Sequence, residues 1–169
     1  VTAIMYITEI EQRMEYSMKL AEALHLRADL QKRIQQLGVR LNNNAKVQEG
    51  DTPAEDPVVL LRELESCTNE LANLIAAINR TNCATVNADG VSLTDMIARK
   101  DALALRVSML RSFMDTASAK VDRYSSKEIR VCSSVDVRET QKTLDSLSKQ
   151  LRELDVTIQG MNWTVDLIR

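Results

Sequence analysis

The chain has 169 residues, of which 44% are hydrophobic, 27% charged and only 3% aromatic. Leu, Ala, Ile, Val and Met therefore supply the mass of one buried core, which suits interdigitating helix seams better than a sandwich or barrel. A formal net charge of −2 excludes a global basic field for nucleic acid or anionic membrane, and three cysteines at unpatterned spacings argue against a disulfide framework.

Residues 1–17 (VTAIMYITEIEQRMEYS) read as an N-terminal extension of a single helical domain spanning 18–169. The opening is β-branched, whereas Ile7, Ile10 and Met14 recur at helical spacing in a phase that the next segment does not continue. A basic region followed by an apolar one is not seen, so no signal peptide is expected.

From Met18 to about Leu41 a seven-residue pattern holds, with Leu20, Arg27, Ile34 and Leu41 in one row and Ala23, Leu30 and Leu37 in the other. Asn42 to Asn44 can end this helix, because asparagine tolerates left-handed backbone. The loop 42–56 carries carboxylates and Pro53. Asp56-Pro57 then restarts the chain as an N-cap followed by proline at the first helical position. Leu60, Cys67, Leu74 and Leu64, Leu71, Ile78 form the next pair of rows, to about Cys83.

Asn87-Ala88-Asp89-Gly90 marks a short turn. Ser92-Leu93-Thr94-Asp95 resembles a capping box with Asp in place of Glu. A third helix follows, with rows Leu93, Lys100, Val107, Met114, Val121 and Met96, Leu103, Leu110, Ala117, ending near Arg123-Tyr124. Ser125 to Val135 reads as non-helical, and Glu128 to Cys132 alternates like a short strand. Asp136 with Glu139 opens the last helix, whose rows Val137, Leu144, Leu151, Ile158 and Thr140, Leu147, Leu154, Met161 are the cleanest in the chain. It is expected to stop between Gly160 and Trp163.

The expected fold is all-α, an antiparallel up-down four-helix bundle with helices about 36–45 Å long. That order places the 42–56 and 124–136 connections at one end, where Lys46-Val47-Gln48 and Glu128–Val131 are expected to form a short β-ladder. Arg123, Lys127 and Arg130 would then neutralise the acidic loop. The competing arrangement is a pair of long hairpins that open and assemble between molecules.

Catalytic templates are sparse. The one histidine, His25, sits beside the seam as a surface or core-edge residue, and no Glu-x-x-His pair, Cys-x-x-Cys, glycine-rich phosphate loop or Gly-x-Ser-x-Gly occurs. No catalytic residue and no cofactor is assigned. Cys67 lies on a seam as a small core residue, and Cys83 and Cys132 border turns without the cationic neighbours of a thiolate nucleophile.

Two places carry the polar inventory. At the end opposite the loop, Arg27, Asn79, Arg80, Thr81, Asn82, Arg99, Asp101, Asn162 and Trp163 should converge, either as a satisfied polar layer that fixes register or as a small-ligand site. Trp163 would cover that layer, its indole N–H wanting an acceptor. In the acidic loop, Glu49, Asp51 and Glu55 are weak candidates for Ca²⁺ or Mg²⁺. Their spacing fits no calcium-loop pattern, and capping or solvated roles compete.

The segments "MKLAEALHLRADLQKRIQQLGVRLNNNAKVQEGDTPAEDP", "LIAAINRTN", "LTDMIARKD", "RYSSKEI" and "VDVRETQKTLDSLSKQLRELDVTIQGMNW", in that order, resemble a small bacterial family labelled septicolysin-like. The likeness covers residues 18 to about 167. Its label implies a cytolysin, yet no lipid-facing alternation of useful length or bilayer-spanning apolar run supports pore formation. The resemblance implies no cofactor or catalytic residue. The sequence thus points to a cytoplasmic, non-enzymatic, homo-oligomeric bundle used for interaction or scaffolding. The alternative is a protein that binds a small ligand or metal ion at the polar end or the acidic loop, and lysis ranks below both.

Overall fold

The structure is a computed structural model that describes residues 17–119 and 132–168. Four helices follow in order, α1 (Leu20–Asn43), α2 (Pro57–Ala84), α3 (Leu93–Ser118) and α4 (Val137–Thr164). They run up and down as an all-α bundle with α1 antiparallel to α2 and α3 antiparallel to α4, and no strand or sheet occurs among the described residues. Of the expected extension at residues 1–17, residues 1–16 lie outside them.

Most buried positions lie on the seven-residue rows, with Ala21, Ala77, Thr81 and Asn162 buried beside them. Leu20, Ala23, Leu30 and Leu37 are buried on α1, Leu60, Cys67, Leu74 and Ile78 on α2. Leu93, Met96, Val107 and Met114 are buried on α3, and Leu144, Leu147 and Ile158 on α4. These residues do not form one continuous core. Leu20, Ala23, Leu30, Leu74, Ile78, Leu93, Met96 and Ile158 build a cluster to which all four helices contribute. Away from it, Leu37, Leu60 and Cys67 pack only between α1 and α2. Val107, Met114, Leu144 and Leu147 pack only between α3 and α4. The bundle is therefore closed at one end, where the first hairpin (α1–α2) meets the second (α3–α4), and each hairpin continues beyond it as a two-helix arm. A two-helix seam can bury one row fully while its neighbour stays half open, which is the state of Ile34, Leu64, Leu103 and Leu110.

At the closed end both hairpins are tied in the same way. The Leu93 N–H donates to Thr85 O at 2.8 Å, and the Leu20 N–H donates to Val165 O at 2.9 Å. Val86 bridges Ser92 on one side of the junction, and Lys19 bridges Asp166 on the other. The helices before these clasps end identically, with the Thr85 N–H on Thr81 O and the Val165 N–H on Met161 O, each at 2.9 Å. Counting back from these caps, Ile78 matches Ile158, Asn82 matches Asn162, and Cys83 matches Trp163. Counting forward from the start of each hairpin, Leu20 matches Leu93 and His25 matches Ala98.

Local chemistry sets the boundaries. Asp56 accepts from the Val58 N–H at 2.8 Å with Pro57 beside it, and Asp136 accepts from the Arg138 and Glu139 N–H groups at 2.9 and 3.1 Å. At Ser92 the hydroxyl accepts from the Asp95 N–H at 3.0 Å. The shorter Asp95 side chain takes the Ser92 hydroxyl proton at 2.8 Å, not the cap's backbone N–H that a glutamate would reach.

Helix α3 stops at Ser118, five residues short of the expected Arg123. Thr116 and Ser118 there donate their hydroxyls to the carbonyls of Ser112 and Met114, a side-chain competition that weakens a helix end. Conversely, α4 runs through Gly160 to Thr164.

The expected β-ladder between the two connections is not part of this structure. Lys46-Val47-Gln48 makes no bridge, and its intended partner Glu128–Val131 lies outside the described residues, as do Arg123, Lys127 and Arg130. The 44–56 loop instead satisfies itself. Buried Asn44 donates to Arg40 O at 2.9 Å and accepts the Glu55 N–H at 3.0 Å, while Gly50, at φ 93°, turns the chain so that the Asp51 N–H reaches Gln48 O.

Candidate functional site

The candidate residues at the closed end do not gather into a single buried layer. Thr81 is fully buried and Asn162 nearly so, Arg27 and Asn82 are half-buried, and Asn79, Arg80, Arg99, Asp101 and Trp163 are exposed. A contiguous run such as Asn79-Arg80-Thr81-Asn82 winds around its helix by about 100° per residue, so only part of it can face inward.

Thr81 has a structural duty. Its hydroxyl donates to Ala77 O at 2.8 Å and accepts the Ile168 N–H at 2.9 Å. With the Leu167 N–H on Met18 O at 2.8 Å, this lays residues 165–168 across the start of α1 and the end of α2. Lys19 holds the same tail, its ammonium donating to Asp166 at 2.6 Å and to Thr164 O at 3.1 Å. Bonded to Lys19 and then Ser17, the Asp166 carboxyl is pulled below its ordinary range.

Two concavities flank this tail. The larger, about 400 Å³, is an apolar groove lined by Met18, Leu26, Leu74, Ala77 and Leu167, with Arg80 and Glu70 at its edge. The smaller, about 230 Å³, lies between the start of α1 and the end of α4 and is lined by Ala21, Leu24, His25, Gln159, Asn162 and Trp163. The rings of His25 and Trp163 stand 6.3 Å apart at 44°. Trp163 therefore lies beside the cavity, 57% exposed, where the sequence placed it as a lid over a polar layer. His25 and Gln159 were missed as cavity residues. The available signal was the spacing of Gln159, Asn162 and Trp163, which puts all three on one helical face.

At the tip of the first arm the acidic loop is organised by arginine. Arg40 donates through Nε to both Glu55 oxygens at 3.1 Å, and its terminal nitrogen makes a further short bond to Glu55. Glu63 joins through Arg33 at 2.7 Å. The Arg40 guanidinium holds the Glu55 carboxyl below the usual carboxylate range. Glu49 and Asp51 are exposed, and the three loop carboxylates are not assembled as ligands. Among the described residues no group of three or more His, Cys, Asp or Glu is placed to hold a metal ion. Cys67 is buried in the first arm, and Cys83 and Cys132 are exposed, all three as free thiols.

Residues 27–167 match a family described as "Family of unknown function (DUF6847)". The fold is similar to the crystal structure of a functionally unknown conserved protein from Corynebacterium diphtheriae, at 41% sequence identity and a TM-score of 0.82. That likeness covers 89% of this chain and 98% of the other. No curated protein matches the chain. None of the described helices is long and apolar enough to cross a membrane.

Proposed function

The chain belongs to the DUF6847 family of unknown function, and from that premise we propose that it is a homo-oligomeric interaction or scaffold protein whose diverging arms pack against a second copy. One observation carries this reading. On α3, Leu105, Met109 and Phe113 are 62%, 60% and 43% exposed, forming an apolar stripe along the outside of the second arm. The matching positions on the first arm are Lys32, Gln36 and Arg40, so the fold itself does not call for apolar side chains there.

The first arm supports the reading from the other side. Val58, Val59 and Leu61 are exposed at the start of α2, beside Arg62 and Glu65, whereas their counterparts on α4 are Arg138, Glu139 and Gln141. The α3 stripe is bordered by exposed Asp101, Arg106, Arg111 and Asp115. Apolar faces with mixed-charge borders, one on each arm, can cover each other between two copies. Three free thiols fit a reducing compartment such as the cytoplasm.

Light scattering coupled to size exclusion, over a concentration series, tests the proposal. The expected result is a dimer or larger species. The double variant Leu105→Lys, Met109→Lys should keep its helix content but bind its partner at least about 100-fold more weakly, since each lost apolar contact is worth about 1.5–3 kcal/mol. A monomer at every concentration would sink the scaffold reading. Dye release from vesicles would instead favour the lysis implied by the septicolysin-like resemblance.

A further inference from the structure

We propose that the cavity between α1 and α4 binds a neutral, planar heterocycle that presents a hydrogen-bond donor beside an acceptor, a nucleobase being the type. This does not rest on self-assembly, because the cavity lies at the closed end and the apolar stripe on the second arm.

The first argument is the carboxamide of Asn162. The residue is only 6% exposed and lines the cavity, yet its side chain makes no hydrogen bond to a described residue. Neither of its polar atoms is sealed from solvent without a partner, so the amide opens into the cavity. A buried amide offers one donor and one acceptor side by side, the pattern with which Asn and Gln read the edge of a base. Gln159, one helical turn away, offers a second amide at the rim.

The second argument is the lining as a whole. Ala21 and Leu24 provide apolar contact, His25 and Trp163 provide ring faces, and no carboxylate, ammonium or guanidinium belongs to it. A charged ligand would find no counter-ion there, whereas a flat neutral ring can stack on the indole or imidazole. At about 230 Å³ the cavity is smaller than those that enclose drug-sized ligands and suits a single ring system.

The third argument is the matching place in the molecule. Where Asn162 is followed by Trp163 and shares a cavity with His25, its counterpart Asn82 is followed by Cys83, and the position matching His25 is Ala98. There the Cys83 sulfur lies 3.6 Å from the Thr94 hydroxyl. The same helix junction is thus built once with small side chains and once with two aromatic ones. Trp163 and His25 are additions that the junction does not require.

Trp163 is the only tryptophan in the chain, so its indole N–H gives a single NMR resonance. The full chain would be titrated with adenosine, cytidine, guanosine and uridine to their solubility limits. Saturable movement of that resonance with at least one nucleoside is expected. Asn162→Ala should weaken binding about tenfold or more, and Asn162→Asp, which keeps the shape but removes the donor, should do the same. Asn82→Ala should leave it unchanged. No saturable movement with any nucleoside overturns the proposal. So does movement that both Asn162 variants leave intact, because the ring would then merely stack on Trp163.

Discussion

Arg40 on the first hairpin and Phe113 on the second hold the same place, and so do Lys32 and Leu105. The two hairpins share their clasps and their capping aspartates, and they part company on which seam row they bury and on what they show to the outside. The first uses its outer α1 face to bind its own loop, Arg40 to Glu55, and so ends in a tip that is polar and internally satisfied. The second leaves Leu105, Met109 and Phe113 uncovered. The shared features are therefore those that make the fold, and the differences mark where a partner or ligand has to be sought.

Mutations at matched positions can break that equivalence. Ile78 and Ile158 are 1% and 2% exposed in the joined core, and alanine at either should cost about 2–5 kcal/mol in denaturant unfolding, with similar values for the two. A neutral result at one of them would mean that the hairpins do not share the junction equally. The caps should show a smaller and unequal effect. Asp136→Ala removes an acceptor from two N–H groups and Asp56→Ala from one, with Pro57 already lacking a donor, so the first should cost more within a range of about 0.5–2 kcal/mol. Thermal unfolding of both variants measures the difference.

Acid should act least, at the first tip through Glu55 and at the closed end through Asp166. The folded pKa of Glu55 lies below its unfolded value, so its contribution is present above the ordinary carboxylate value near 4.5 and is lost as pH falls through the folded pKa. The protection of the Glu55 amide against hydrogen exchange, relative to the intrinsic rate at the same pH, should fall in acid and do so at higher pH in Arg40→Gln. An unaltered profile in that variant would show that Asn44 alone orders the loop.

Much of the fold was legible. Each inward row contains a buried helix residue, though members such as Arg27, Ile34, Leu103 and Leu151 are only half-buried, and Asp56-Pro57, Ser92 and Asp136 announced three helix starts through side chains whose capping chemistry is local. The closure of the bundle at one end only was not legible, because a seven-residue row looks the same in a two-helix seam and a four-helix core. The discriminating residues are the outward ones, such as Met109, which a search for seams passes over. The clasps were hidden for another reason. Their frame is made by backbone groups, such as the Leu20 N–H on Val165 O and the Leu167 N–H on Met18 O, and the side chains that join it, Lys19, Thr81 and Asp166, are far apart in sequence. At the candidate site Asn162 and Trp163 were found as polar and aromatic exceptions near a helix end. His25 escaped because only the approach of α1 to α4 brings it within reach.

The antiparallel pairing of Lys19 with Asp166 has a topological consequence. With the Val86–Ser92 turn on one side and this pairing on the other, the start of α1 lies beside the end of α4 just as the start of α3 lies beside the end of α2. An engineered two-residue turn from Ile168 to Ser17 would join α4 to α1 as a β-hairpin connection. Opening the joined chain between Gln48 and Asp51, at an exposed loop tip, would give a circular permutant with the same four described helices.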